Sequence, residues 1–146
     1  MPDPTVETVI GFDYGTSWIG IAVGQTLTGQ ARPLTAIKSF KQSPDWDAIS
    51  RLLNEWKPQK LIVGLPTSEY SETKYMTDKA TRFSRQLNGR FHIETQLIDE
   101  RLTTREAYTI AIASGRRKSK PDIDSLSAVL ITETWLREYT QQLSIS

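Results

Sequence analysis

Between Phe40 and Trp46 the hydrophobic period of the chain changes, and this change constrains the fold more than any other feature. Before it, apolar residues come in short blocks. Val6 to Phe12 reads as a buried strand, Tyr14-Gly15-Thr16 as a turn, and Trp18 to Val23 as a second strand. The second block sets Trp18/Gly20/Ala22 against Ile19/Ile21/Val23, the period of two that puts alternate side chains on opposite sheet faces. A loop through Thr28-Gly29-Gln30 leads to a third strand near Pro33 to Phe40. Strands joined by such short connections run antiparallel.

After the change the period is helical. In "SPDWDAISRLLNEW", Ser43 is expected as N-cap, Pro44 at the first helical position, and Trp46, Ile49, Leu53 and Trp56 as one apolar stripe closed by Pro58. "KLIVG", Lys60 to Gly64, has the unbroken apolar character of a strand buried on both faces. After the loop "LPTSEYSET" comes a long helix with Met76, Ala80, Phe83 and Leu87 on one face, expected to end at Asn88-Gly89. Phe91 to Ile98 is expected as the fifth strand. A capping box, Thr103 to Glu106, opens a helix that stops near Gly115, and Pro121 starts a last helix running to about Tyr139. The order β-β-β-α-β-α-β-α-α requires crossover connections, hence parallel strand pairs, in its second half. The fold class is therefore α/β: a mixed five-stranded sheet, three antiparallel strands followed by parallel crossovers, with helices on both faces. At 146 residues the chain suits one domain, 1–146, with 1–5 and 141–146 as tails.

Composition narrows the chemistry. There is no cysteine, which excludes disulfides and thiolate zinc sites and agrees with a reducing, cytoplasmic setting. No apolar run approaches the ~20 residues that span a bilayer, so no membrane role is expected. The formal net charge of +1 argues against a protein that coats nucleic acid non-specifically. Charge is concentrated locally instead. Arg101, Arg105, Arg116, Arg117, Lys118 and Lys120 face only Glu106 within their segment, either as a solvated surface or as a docking site for a polyanion.

Three carboxylates stand at the ends of elements. Asp13 ends the first strand, Asp99-Glu100 the fifth, and Asp124 lies in the first turn of the last helix. Each has a plain structural reading, as turn former, helix cap or dipole partner. Read together, they lie where ligand sites form in open α/β sheets, outside the carboxyl ends of the parallel strands. Alternation lets only one of Asp99 and Glu100 join such a site, and Glu100 is the choice. Asp122 reads as a first-turn helix acid and His92 as a surface residue. Asp124 shares a helix face with Ser127, Ala128 and Ile131, small enough nearby for close approach to the sheet. Three converging carboxylates repel one another unless a divalent cation joins them, and hard oxygen donors suit Mg²⁺ or Mn²⁺. A pair of such ions supports phosphodiester hydrolysis without a Ser, Cys or His nucleophile.

"GFDYGTSWIGIAVG", "LIVGLP", "IDERLTTREA" and "DIDSLSAVLITETWL" resemble the successive motifs of the YqgF (RuvX) family, the bacterial group described as pre-16S rRNA nucleases or Holliday-junction-resolvase-like proteins. The resemblance covers nearly the whole chain. It implies an RNase H-like fold and a cytoplasmic, divalent-metal nuclease with a two-ion site that matures the 5′ end of small-subunit ribosomal RNA. It also implies that Asp13, Glu100 and Asp124 are catalytic and metal-holding. Arg101, Arg116, Arg117 and Lys118 are the candidates for phosphate contact, with Thr103 and Thr104 supporting Glu100. The chain departs from the pattern at Trp18, where a basic residue is usual, at Gly24-Gln25, where Ser-Asp is common, and after Pro66, where a Gly is common.

Three function classes are weighed. The first is a nuclease on structured RNA (pre-rRNA) or branched DNA, as monomer or homodimer. The second is a nucleic-acid or ribosome-associated binding module that does not cut. The third is a sugar-kinase or actin-like ATPase, disfavoured because that architecture needs two such domains and a second phosphate loop. Trp135 and Tyr139 either close the core or mark a dimer surface, with core closure as the expectation.

Overall fold

The computed structural model describes residues 7–15, 17–41, 43–65, 71–99 and 120–145, excluding the side chains of 71–73, 99, 120–124 and 141–145. Its elements are β1 Thr8–Asp13, β2 Trp18–Gln25, β3 Gln30–Phe40, β4 Ser43–Pro44, α1 Trp46–Trp56, β5 Lys60–Leu65, α2 Ser71–Phe91, β6 Glu94–Asp99 and α3 Lys120–Ile145. The sheet order is β4-β3-β2-β1-β5-β6. β1, β2 and β3 pair antiparallel, and β1, β5 and β6 run parallel. The mixed sheet is thus as expected, with six strands rather than five.

The sixth strand arises where the helix start was expected. Ser43 and Pro44 pair with Phe40 and Ser39 in β4, and the N-cap of α1 is Asp45, whose carboxylate accepts from the Ala48 N–H at 3.1 Å. Proline biases the residue before it toward extended backbone and is tolerated on an edge strand, where its missing N–H costs no ladder bond. A carboxylate two residues later makes the better cap. The ends of α2 and β6 also differ from expectation. Asn88-Gly89 does not stop α2, which runs to Phe91 and ends with His92 in the left-handed region (φ 56). His92 donates its N–H to the Asn88 carbonyl at 2.9 Å, and Phe91 packs on the core with its ring 6.2 Å from that of Trp46. Burial of Phe91 outweighs the local stop signal, and β6 begins only at Glu94. His92 itself is exposed, as expected.

The sheet has a core on each face. On one side Ile10, Phe12, Leu61 and Val63 pack with Ile49 and Leu53 of α1 and Ala80, Phe83 and Leu87 of α2. On the other, Val9, Ile62 and Ile98 pack with Ile131, Trp135 and Leu136 of α3. Trp135 and Tyr139 stack at 5.0 Å, Trp135 is 7% exposed, and its indole N–H donates to Gln96 at 2.8 Å. This pair closes the core.

α3 lies unusually close to the sheet. A Cβ on Gly11 would collide with the Thr132 hydroxyl and sit 3.4 Å from the Ala128 carbonyl oxygen; one on Gly24 would lie 2.9 Å from both Leu136 and Thr132. Glycine on β1 and β2 and small residues on α3 make this approach possible, as the pattern around Ser127 and Ala128 suggested. No helix among the described residues is long and apolar enough to cross a membrane.

Candidate active site at the carboxyl edge of the parallel strands

Alternation along β1 decides where Asp13 stands. Val9 and Gly11 belong to the α3 face, while Ile10 and Phe12 belong to the α1/α2 face. By the period of two, Asp13 falls on the α3 face and Tyr14 on the other. Tyr14 confirms its half of this rule by packing on Phe83 of α2 at 5.1 Å. Asp13 is half-buried and pairs with Gly20 of β2, the last pair of the ladder. Gly15 then lets the chain turn: a Cβ there would lie 2.5 Å from the Trp18 carbonyl oxygen.

The start of α3 is fastened beside this point. Ser125 is buried in the irregularity where β2 and β3 shift register between Ile19 and Ile21. Its hydroxyl donates to the Leu34 carbonyl at 2.9 Å and accepts from the Ile21 N–H at 3.4 Å. Ile21 pairs with Phe12, the residue before Asp13. Ser125 therefore ties α3 to the ladder one residue from Asp13, and Asp124 is its neighbour in the chain. Further along, Glu133 accepts from the Ala31 N–H at 3.1 Å and fixes α3 against β3.

Of the three expected carboxylates, Asp13 alone has a described side chain. Asp124 is the fifth residue of α3 with its side chain outside the description, and Glu100 lies outside the described residues altogether. So do Arg101, Thr103, Thr104, Arg116, Arg117 and Lys118. Among the described residues no group of three His, Cys, Asp or Glu could hold a metal ion. What is described fits a cation site in two respects. Asp13 is an oxygen donor at the sheet edge facing α3. The Ser127 hydroxyl, one turn from position 124 on the same helix face, is fully buried with no hydrogen-bond partner among the described residues.

A second feature of this edge was not anticipated from the sequence. On the α1/α2 side, an open cleft of about 260 Å³ is lined by Tyr14, Trp46, Lys79, Arg82, Gln86 and Arg90, with β4 at its rim. The four α2 residues recur at i, i+3, i+7 and i+11, one helix face, a spacing readable in the sequence. The Arg90 guanidinium lies over Trp46, 4.2 Å from the ring centroid. Burial pushes the Tyr14 hydroxyl above its ordinary pKa of 10.0, opposed by Lys79 and Arg82 and assisted by Tyr75. At the departure noted at Trp18, the cross-strand partner is Lys38, whose ammonium lies 6.0 Å from the indole centroid. A basic group is thus present beside Trp18 though not in its place.

The family model described as "RuvX: Holliday junction resolvase" matches residues 7–138. The chain belongs to the RuvX family. It is 43% identical over 143 residues to a protein of Pseudomonas syringae pv. tomato named "Putative pre-16S rRNA nuclease", an alignment covering 96% of this chain and 98% of that one. A protein of the same name in Azotobacter vinelandii is 44% identical over 132 residues, 89% of this chain and 93% of that one. Among solved structures, Thermus thermophilus RuvC in complex with a Holliday junction superposes with a TM-score of 0.55 at 16% identity, covering 92% of this chain and 97% of that one. The yeast mitochondrial Holliday junction resolvase Ydc2 gives 0.56 at 12% identity, covering 94% and 80%. At these identities the likeness concerns the fold, and RuvX membership with RuvC-like neighbours agrees with the RNase H-like architecture.

Proposed function

We propose that this chain is a metal-dependent nuclease that hydrolyses phosphodiester bonds in structured RNA, with precursor 16S ribosomal RNA as substrate and the 5′ end of the mature RNA as product. The observation that carries the reading is the position of Asp13: half-buried at the carboxyl end of β1, on the face covered by α3, one ladder position from the Ser125 anchor. The relatives named for that substrate support it. That substrate is cytoplasmic, which agrees with a chain lacking cysteine.

Asp13, Glu100 and Asp124 would hold the metal. The alternation that puts Ile98 on the α3 face favours position 100 over position 99 as the third contributor. Bound there, Mg²⁺ or Mn²⁺ would activate water and stabilise the leaving oxygen. The chain's own contribution is positional. β1 delivers Asp13 from a strand buried over residues 9–12, so its backbone has little freedom. Ser125 holds the start of α3 against the same ladder. Arg101, Arg116, Arg117 and Lys118 would neutralise substrate phosphates near the acids.

The test is cleavage of a precursor 16S RNA fragment beside a four-way DNA junction, each with Mg²⁺, with Mn²⁺ and with EDTA. Metal-dependent cutting of the RNA is expected, falling at least ~100-fold in Asp13→Asn, the scale of losing a preorganised electrostatic contact to a transition state. Glu100→Gln and Asp124→Asn should behave alike. Cutting of the junction alone would replace the substrate. An undiminished rate in a folded Asp13→Asn protein would remove the site.

A further inference from the structure

The cleft on the α1/α2 side has no part in holding metal, yet it opens at the same edge of the sheet. Asp13 and Tyr14 are consecutive, and alternation sends them to opposite faces. A strand laid over the end of β1 would meet the acids on one side and this cleft on the other. We propose that Lys79, Arg82 and Arg90 form a phosphate-binding subsite that grips the substrate strand outside the bond being cut, as it passes over the sheet edge from the α3 face to the α2 face. The subsite rests on the nuclease reading for its substrate, but its chemistry stands on its own residues.

Four observations support it. First, from Lys79 to Phe91, α2 carries Lys79, Arg82, Arg85 and Arg90 and no acid. Second, no carboxylate is among the described residues lining the cleft. The nearby Asp45 is engaged at the start of α1, where it accepts from Ala48. Third, the stripe from position 79 to 90 is ~16 Å long at 1.5 Å per residue. That length spans several phosphates of a single strand. Fourth, the Arg90 guanidinium lies over the Trp46 ring, 4.2 Å from its centroid. A guanidinium fixed by stacking loses less freedom on forming a bidentate phosphate contact than a mobile one would. The Tyr14 hydroxyl and the Gln86 amide add hydrogen-bonding groups that could reach phosphate or ribose oxygens. Next to the rim, Phe40 is 74% exposed beside Lys41, whose ammonium lies 5.8 Å from its ring centroid. An exposed ring next to cations can stack a base, the common arrangement in proteins that track single strands.

The probe is a fluorescein-labelled RNA hairpin with a 5′ single-stranded extension, titrated with the full chain in EDTA and read by anisotropy from 50 to 200 mM salt. Arg82→Ala with Arg90→Ala should weaken binding roughly tenfold per guanidinium, since charge-assisted hydrogen bonds are of that strength. The slope of log affinity against log salt should flatten by ~0.7 for each single-strand phosphate that is no longer neutralised. Arg85→Ala, on the same helix but outside the cleft, should bind like the native protein. Arg82→Ala alone leaves the cover over Trp46 in place, so a partial loss there, at native thermal midpoint, separates phosphate contact from folding. The subsite is overturned if the double variant binds within twofold of native, or if Arg85→Ala loses as much. Because affinity is read without cleavage, the two proposals fail separately. Arginine-dependent binding with an undiminished Asp13→Asn cleavage rate would remove the nuclease site and keep the subsite.

Discussion

Gly11→Ala tests how the structure joins packing to chemistry. The new Cβ would point from β1 into α3 and collide with the Thr132 hydroxyl, with the Thr132 Cβ at 3.1 Å and the Ala128 carbonyl oxygen at 3.4 Å. The neighbours have little room to yield. Thr132 is fully buried, and its hydroxyl donates to Ala128 at 2.7 Å. A β-branched side chain in a helix has few alternative rotamers. Overpacking of this kind costs about 1–3 kcal/mol, and loss of the Thr132–Ala128 bond adds about 1. The sum, about 2–4 kcal/mol, should lower the urea midpoint at unchanged m-value. At ~2–4 °C per kcal/mol for a chain of this length, the thermal midpoint should fall by roughly 4–16 °C. Thr132→Ala removes the colliding hydroxyl. Alone it should cost ~1–2 kcal/mol, through a missing hydrogen bond and a small cavity. Combined with Gly11→Ala it should cost less than the sum of the two by ~1–2 kcal/mol, the coupling expected of touching residues. The same collision should displace α3, which carries Asp124 near its start. Cleavage by the folded Gly11→Ala protein should therefore fall, and Thr132→Ala should restore part of it. A Gly11→Ala protein as stable as native, or strict additivity in the double variant, would refute the close packing of α3 on β1.

Three further outcomes follow from single interactions. Ser125→Ala removes the buried hydroxyl that serves both the Ile21 N–H and the Leu34 carbonyl, and should cost about 1–3 kcal/mol in urea unfolding with a drop in cleavage out of proportion to it; unchanged cleavage would show that this anchor does not position the start of α3. Asp45→Ala should cost ~1 kcal/mol through loss of the α1 cap and leave the cleavage rate alone, measured by the same two assays. Tyr14 has its hydroxyl pKa raised on folding by burial, so the folded state holds that proton more tightly than the unfolded chain does. Its contribution is present in full below the ordinary tyrosine pKa near 10.0 and is lost as pH rises through the folded value; the fall in stability above pH ~10 should be smaller in Tyr14→Phe than in the native protein, read as the difference between their urea midpoints.

The order of elements was legible because burial and period agree. "KLIVG" is apolar throughout, and β5 has Leu61, Ile62 and Val63 fully buried between two layers of helix. The stripe of α2 was legible for the same reason at Ala80, Phe83 and Leu87. Reading failed at element ends, where local signals compete with packing. Ser43-Pro44 has the composition of a helix start, yet a strand partner at Ser39 and Phe40 and a better cap at Asp45 displaced it by two residues. Asn88-Gly89 is a stop signal overruled by burial of Phe91. The role of Ser125 could not be read at all. It depends on a register shift between β2 and β3, which no local pattern specifies, meeting a helix about a hundred residues later.

At the candidate site the deciding quantity is parity. Whether Asp13 faces α3 or α2 depends only on whether an odd or even number of residues separates it from a residue of known face. Gly11 supplies that reference, because its lack of a side chain is what admits Thr132. The same count that sends Asp13 toward α3 sends Tyr14 toward Arg82 and Arg90. The single step from Asp13 to Tyr14 at the end of β1 thereby sets that carboxylate and the cations of α2 on opposite sides of the sheet. Such a division suits a substrate carrying negative charge along its whole length. A cation in direct contact with Asp13 would compete with a metal ion for its carboxylate. In the proposed nuclease, the α2 cations behind the edge would leave Asp13 to the metal while still attracting the substrate strand.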